Sequence, residues 1–444
     1  MVLPKLAAVP RAPRLWLTTL GCAKNQVDSE KLNARLAAAG FAPADALEEA
    51  EVVMVNTCAF VEEARRESID VILEAAGRRA PGARLVVLGC LAQRYQEELA
   101  AALPEADAVI GIDHYGELVG RLADLTGWEP AGPRSEPRDI LDETRRPAPS
   151  APYAYLKVAE GCDKPCTFCA IPQFRGRQRS RRPSAVRAEA AALASAGVRE
   201  LVLVAQDLSG YGQDLGTPGG LADLLRLLSE VEGLRRLRLL YLHPREIGAG
   251  LIAEMAANPV VAPYFDLSLQ HSSGRLLRAM RRPGDGESHL DLVTDIRRVA
   301  PQAALRSSFI VGFPGEDEDD VAGLAAFLEE ARLDWAGFFP FSPEEGTPAA
   351  GLPGQVPAPE AAERVRGLEA LQEQITGERN AEQVGRVAEV LVDRVEDGRP
   401  VGRSHREAPE IDGVILLDAG HPGDWLRARV TGVYGIDSVA EVVA

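Results

Sequence analysis

The chain has 444 residues, 46% of them hydrophobic, and a formal net charge of −17. That length exceeds one ordinary core and implies two or three domains. No run of about 18 or more apolar residues occurs, so no membrane span is expected; nucleic-acid binders usually show a basic face, and the acidic balance, which leaves room for a local basic patch, fits a basic protein partner more readily than a polyanion.

The opening residues, MVLPKLAAVPRAPR, lack an apolar h-region and read as a disordered tail over 1–13 rather than a signal peptide. A cytoplasmic enzyme is therefore the default, with cysteines serving as ligands or catalysts rather than disulfides. Three strand-like runs follow, RLWLTTLGC, EVVMVNTC and ARLVVLGC, each ending in a cysteine: Cys22, Cys58 and Cys90. The helix-like segments SEKLNARLAAAG and VEEARRESIDVILEAAG separate them. This alternation reads as an α/β unit with a parallel sheet over 14–126. The functional edge of such a sheet lies beyond the carboxyl ends of its strands, so the three cysteines are expected to converge there. A buried cysteine is often just a small hydrophobe, but three at equivalent strand ends are an unlikely accident.

Residues 127–152 (GWEPAGPRSEPRDILDETRRPAPSAP) have linker composition. A second series spans 153–380. Its candidate strands are AYLKVAEG, ELVLVAQD, RRLRLLYLH, YFDLSLQH, ALRSSFIVGF and DWAGFFPFS, alternating with helical stretches such as PSAVRAEAAALASAG and HLDLVTDIRRVA. That is the pattern of a complete or partial (β/α) barrel, whose sites lie at the C-terminal ends of the strands. The helix PEAAERVRGLEALQEQITGERN then leads to residues 381–444, where VAEVLVDRV, EIDGVILLD, DWLRARVTGVYG and SVAEVVA read as a small β-barrel.

Directly after the first barrel strand, GCDKPCTFCAIP packs Cys162, Cys166 and Cys169, half of the six cysteines, into eight positions. Structural zinc normally takes four tetrahedral ligands, and here there are three thiols with no histidine at ligand spacing. Each iron of a 4Fe–4S cluster wants one external ligand. Three cysteines leave one iron open, able to bind a small chelating molecule, so a cubane fits the triplet better than a zinc knuckle.

Taken together, TTLGCAKNQVDSE, VNTCAFVEEA, VLGCLAQRY, AEGCDKPCTFCAIPQFRGRQRSR and FIVGFPGE resemble the radical S-adenosylmethionine methylthiotransferase family over nearly the whole chain. The resemblance implies that Cys162, Cys166 and Cys169 hold a 4Fe–4S cluster whose open iron chelates S-adenosylmethionine, with Phe168 fitting the same pattern. It implies that Cys22, Cys58 and Cys90 hold an auxiliary 4Fe–4S cluster that carries sulfur, and that the last domain is a TRAM barrel that helps hold the substrate. In the family a 5′-deoxyadenosyl radical takes hydrogen from an unactivated carbon, sulfur is inserted there, and a second S-adenosylmethionine supplies the methyl group. The family also places a motif that meets the cofactor's amino group where Gln206 and Asp207 end a predicted strand. No catalytic residue is implied beyond the cluster ligands.

Gly312 and Gly315 in IVGFPGE allow close backbone approach to a cofactor, though turn chemistry explains them nearly as well. Gln270 and His271 end another strand and can face the site; a lone histidine there is more often structural. The run Arg175, Arg177, Arg179, Arg181, Arg182 reads for the most part as a solvated face, with contact to the cofactor or the substrate as the alternative. A G-x4-G-K-[ST] loop is absent, so nucleotide hydrolysis has no support.

Two branches of the family differ in substrate: a modified adenosine in tRNA, or an aspartate in the twelfth protein of the small ribosomal subunit. VAQDLSGYGQDLG, LLYLHP, SLQHSSGRLLRAMRRPG, DWAGFFPFSPEEGTPA and GRSHREAPEIDGVILL resemble the second. Residues 381–444 hold 12 Asp and Glu against 7 Arg and no Lys. A tRNA-gripping barrel should be basic, whereas an acidic one suits a basic ribosomal protein. The expectation is methylthiolation of the β-carbon of that aspartate by a monomer served by an electron-donor protein. A tRNA methylthiotransferase is the alternative, and a non-catalytic, metal-binding, RNA-associated adaptor is the alternative from another class.

Overall fold

The computed structural model describes residues 11–135, 140–216 and 220–443. The first ten residues of the expected tail and residues 136–139 of the expected linker lie outside the described residues. The chain divides into two compact units: 1–147 together with 173–175, and 148–172 together with 176–444.

The first unit is built on a parallel sheet of five strands: β1 (Arg14–Thr19), β2 (Ala42–Pro43), β3 (Val52–Thr57), β4 (Arg84–Leu88) and β5 (Ala108–Ile110). Their order is β2-β1-β3-β4-β5, a doubly wound arrangement whose switch point falls between β1 and β3. Helices α1 (Ala23–Ala38), α2 (Glu62–Arg78) and α3 (Gly89–Arg94) follow β1, β3 and β4. Every residue of β3 is buried, as expected of a central strand covered on both faces. The segment of linker composition packs onto this unit where it is described. Ile140 and Leu141 are buried, Lys31 donates to the Leu141 carbonyl at 3.0 Å, and Glu143 pairs with Arg35 at 3.3 Å.

In the second unit six parallel strands form the expected partial (β/α) barrel: β6 (Tyr153–Lys157), β9 (Glu200–Val204), β10 (Arg236–Leu239), β11 (Tyr264–Gln270), β12 (Ala304–Val311) and β13 (Trp335–Pro340). A short antiparallel pair, β7 (Ala159–Glu160) with β8 (Arg179–Ser180), interrupts the series. Ladders join β6-β9-β10 and β11-β12-β13, and the parallel bridges Leu237–Val261 and Leu242–Leu267 stitch the two halves. Leu156, Leu203, Leu239, Leu267 and Phe309 share one buried core. The long helix expected after the barrel spans Ala358–Ala381 and leads into a closed barrel of β14 (Val387–Glu396), β15 (Arg399–Arg403), β16 (Ile415–Leu417), β17 (Trp425–Tyr434) and β18 (Asp437–Val442). Strand β15 was not expected from its sequence, RPVGR. Gly402 belongs there because a Cβ would lie 2.5 Å from the Leu391 carbonyl of the paired strand.

Residues 403–412 of this small barrel close the N-terminal end of the large one. Arg236 and Arg238, on β10, donate to the carbonyls of Ser404 and His405 at 2.9 and 2.8 Å. Trp335 donates to the Arg406 carbonyl at 2.7 Å, and Tyr264 to Asp412 at 2.6 Å. Glu200, fully buried at the start of β9, meets Arg238, Arg403 and Arg236 at 2.7, 3.1 and 3.3 Å. The three guanidinium groups outweigh the burial penalty and hold its carboxyl far below the usual range. The cysteine triplet lies at the opposite end of the strands.

Candidate active site: two cysteine trios

In the first unit the three cysteines follow the carboxyl ends of adjacent strands. Cys22 caps the start of α1, Cys58 follows β3 directly, and Cys90 lies in the first turn of α3. Their thiols act on one another electrostatically. Side-chain amides and hydroxyls lace the three ends together. Asn25 donates to the Leu20, Asn56 and Thr57 carbonyls at 2.9, 3.3 and 3.2 Å. Thr57 donates to the Leu88 carbonyl, and Ser68 accepts from the Cys58 N–H at 3.1 Å.

Arg175 counts with this unit and turns a buried guanidinium onto Cys90: Nη2 lies 3.0 Å and Nε 3.3 Å from the sulfur. Burial pushes the Cys90 thiol up to about 12 in spite of that cation. Burial also raises Cys58, helped by the neighbouring Cys22. At Cys22 burial is outweighed by Lys24, Arg175 and backbone N–H groups, and the thiol falls below its ordinary value.

The second trio sits on the loop after β6, at the C-terminal edge of the large barrel. Gly161, at φ +76°, starts the loop; a Cβ there would lie 2.1 Å from the Arg177 carbonyl. The Cys162 N–H then donates to Gly176 at 3.1 Å, and Thr167 ties the loop to Met280 and Ala279 at 3.1 and 2.8 Å. Cys162, Cys166 and Cys169 act on one another electrostatically, and burial pushes Cys162 up to about 11 and Cys169 to about 12. Around them Lys164 pairs with Glu246, and with Asp207 at 3.2 Å. Burial, then Glu246, keeps the Asp207 carboxyl above its usual range despite Lys164. Gln206 donates to Glu160 at 2.7 Å, which also accepts from Lys157 at 2.7 Å.

The other expected residues divide. Gln206 and Asp207 stand at this edge. Phe168 packs against Leu276, Leu277, Met280 and Phe313, anchoring the loop from beneath. Gly312, at φ +78°, owes its freedom to Ala361, whose Cβ would lie 2.6 Å from one added to it. His271 is fully buried and accepts from the Ser272 and Ser273 N–H groups at 2.9 Å each, with Glu316 3.4 Å from its other nitrogen; this is a structural histidine. The arginine run is not one solvated face. Arg177 is exposed, whereas Arg181 is buried against Glu189 at 2.7 Å, and Arg175 is the cation on Cys90. Sequence reasoning missed Asn25, Asn56, Ser68 and the role of Arg175. The first two lie inside stretches already singled out for the cysteines beside them.

Both trios offer only soft sulfur donors, the set an iron–sulfur cluster takes. Among the described residues no group of three or more His, Cys, Asp or Glu side chains stands placed to hold a single metal ion. In a cubane each thiolate meets its own iron. The second trio is also fitted for a small polar molecule. Gln206 Oε1 and Glu246 Oε2 are buried acceptors without a hydrogen-bond partner, which an ammonium donor would satisfy.

Comparison with known proteins agrees with this layout. The profile described as uncharacterized protein family UPF0004 matches residues 14–111, the radical SAM superfamily matches 156–328, and the TRAM domain matches 384–443. The ribosomal protein uS12 methylthiotransferase RimO of Saccharopolyspora erythraea is 43% identical, covering 99% of this chain and 97% of its own. That of Nocardioides sp. is 46% identical, covering 95% of each. Among solved structures, the cobalamin-dependent S-adenosylmethionine radical enzyme OxsB superposes with a TM-score of 0.51 at 14% identity, over 82% of this chain and 56% of that one. That is a likeness of fold alone.

Proposed function

We propose, because the chain belongs to the family of RimO ribosomal protein uS12 methylthiotransferases, that it adds a methylthio group to the β-carbon of an aspartate in ribosomal protein uS12. It is a radical SAM enzyme; the cofactor and its cluster, when bound, supply a radical able to take hydrogen from an unactivated carbon. Cys162, Cys166 and Cys169 would hold that cluster, and three thiolates for four irons would leave room there for the methionine moiety. Asp207, Glu246 and Gln206 offer oxygens to its ammonium, with Lys164 orienting the two carboxylates. Phe168 and Gly312 serve the same site from a distance, one by anchoring the loop and the other by letting the β12 end pack closely.

Cys22, Cys58 and Cys90 hold the auxiliary cluster, whose thiolate ligands suit iron that must carry further sulfur. A second S-adenosylmethionine gives the methyl group, and a separate protein donates electrons. The functional division follows as 14–126 for sulfur, 153–380 for the radical and 381–444 for substrate. Three of the twelve carboxylates in the last segment (Asp393, Glu407, Asp412) and two of its seven arginines (Arg403, Arg406) are spent on buried contacts. Nine carboxylates against five arginines remain, a balance that suits a basic protein better than tRNA phosphates. The enzyme acts as a cytoplasmic monomer; among the described residues no helix is long and apolar enough to cross a membrane.

The observation that carries this reading is the gathering of six cysteines into two trios, each at the carboxyl edge of a parallel sheet. Single substitutions separate their roles. Cys166→Ala should abolish 5′-deoxyadenosine formation. Cys58→Ala should still cleave S-adenosylmethionine but no longer insert sulfur. Normal sulfur insertion by Cys58→Ala would refute the auxiliary cluster.

A further inference from the structure

We infer that Arg175 is a positioning residue that fixes Cys90 and raises the reduction potential of the cluster held by Cys22, Cys58 and Cys90, an inference that rests on the auxiliary-cluster reading. Arg175 is 5% exposed, and its planar fork meets Cys90, Asp28 and Asn25. Nε and Nη2 point at Cys90 Sγ from 3.3 and 3.0 Å, Nη1 meets Asp28 Oδ2 at 2.8 Å, and Nη2 reaches Asn25 Oδ1 at 3.3 Å. Asp28 and Asn25 are themselves buried, at 0% and 1%. Phe174, also buried, has the Arg94 guanidinium 6.0 Å from its ring and anchors the neighbouring backbone.

A buried ion pair is a poor device for stability alone, because desolvation offsets most of its attraction. This one leaves one side of its cation turned toward a sulfur. A rigid fork that donates twice to one atom sets that atom's direction, which a lysine ammonium does not do. Donation of N–H to a ligand sulfur, with a positive charge in a dry surrounding, stabilises the form of a cluster that holds one more electron. The same cation bears on the Cys22 and Cys58 thiols, so its field covers the whole trio. Asn25 links this arrangement to the strand ends, since the side chain that accepts from Arg175 also donates to the Thr57 carbonyl beside Cys58.

The test uses the full chain with Cys162, Cys166 and Cys169 all changed to Ala, so that one cluster is present. Iron content and the midpoint of an EPR-monitored redox titration are measured for this parent and for Arg175→Lys and Arg175→Gln made in it. We expect a lower midpoint in both variants, with the larger fall in Arg175→Gln. If Arg175→Gln does not load iron, Arg175→Lys, which keeps the charge, carries the comparison. Midpoints equal to that of the parent would overturn the inference. Loss of iron from both variants would assign Arg175 to assembly of the site and overturn it too. A parent without iron would overturn the auxiliary-cluster reading itself, a different result from an iron-loaded parent whose midpoint does not respond.

Discussion

Gly21 and Gly89 each precede a cysteine, and each occupies the left-handed region, at φ +88° and +94°. A Cβ on Gly21 would sit 2.7 Å from the Cys58 sulfur, and one on Gly89 2.5 Å from the Thr57 carbonyl. The Gly-Cys pairs of the sequence are thus a steric condition for bringing strand ends this close. Gly89→Ala should cost about 1–3 kcal/mol in strain alone and lower iron content, read by denaturant titration and by iron assay. Full iron with an unchanged midpoint would contradict this. The cysteines were legible because their residue type and their place at strand ends carry the signal together. Arg175 was not, because a run of five arginines gives no hint which of them folds inward. Only the packing of Phe174 and the carboxylate of Asp28, 147 positions away along the chain, select it.

At the level of elements, the α/β alternation and the six barrel strands could be read from apolar runs, most plainly where strands such as β3, β9 and β10 are buried along their whole length. Strand β15 could not, since its Pro and Gly answer a close approach by β14 rather than a turn. The stretch GRSHREAPEIDG looks like solvent-exposed surface and is in fact a stopper at the base of the large barrel. Its carbonyls and carboxylates are consumed by Arg236, Arg238, Tyr264 and Trp335, all distant in sequence. Resemblance could connect the stretch with a substrate branch; its physical work is to fix the small barrel to the large one. Glu200→Gln should therefore destabilise the second unit by about 3–5 kcal/mol at neutral pH, because it strips buried guanidinium groups of their shared anion. The pH response follows. The Glu200 carboxyl is depressed in the folded state, so its stabilisation is present above the unfolded value of about 4.3 and is lost as pH falls below it. Glu200→Gln should flatten that acid limb of the stability profile, and an unaltered limb would count against the network.

On the scale of the whole molecule, the sequence carried the fold: an N-terminal parallel sheet, a radical SAM barrel and a small terminal barrel. Composition misled at residues 140–146, where a Pro- and charge-rich stretch hides Ile140 and Leu141, and the buried Glu143. The net charge of −17 and the carboxylate excess left on the terminal barrel bear on the choice of substrate, and that choice is the central claim. The most direct measurement is mass spectrometry after anaerobic reconstitution, with reductant, sulfide and S-adenosylmethionine, of parallel reactions containing either uS12 or tRNA. The account predicts a methylthio mass gain on an aspartate of uS12 and none on the tRNA. A gain on tRNA alone would keep the chemistry of the two trios and contradict the substrate, and with it the argument from charge.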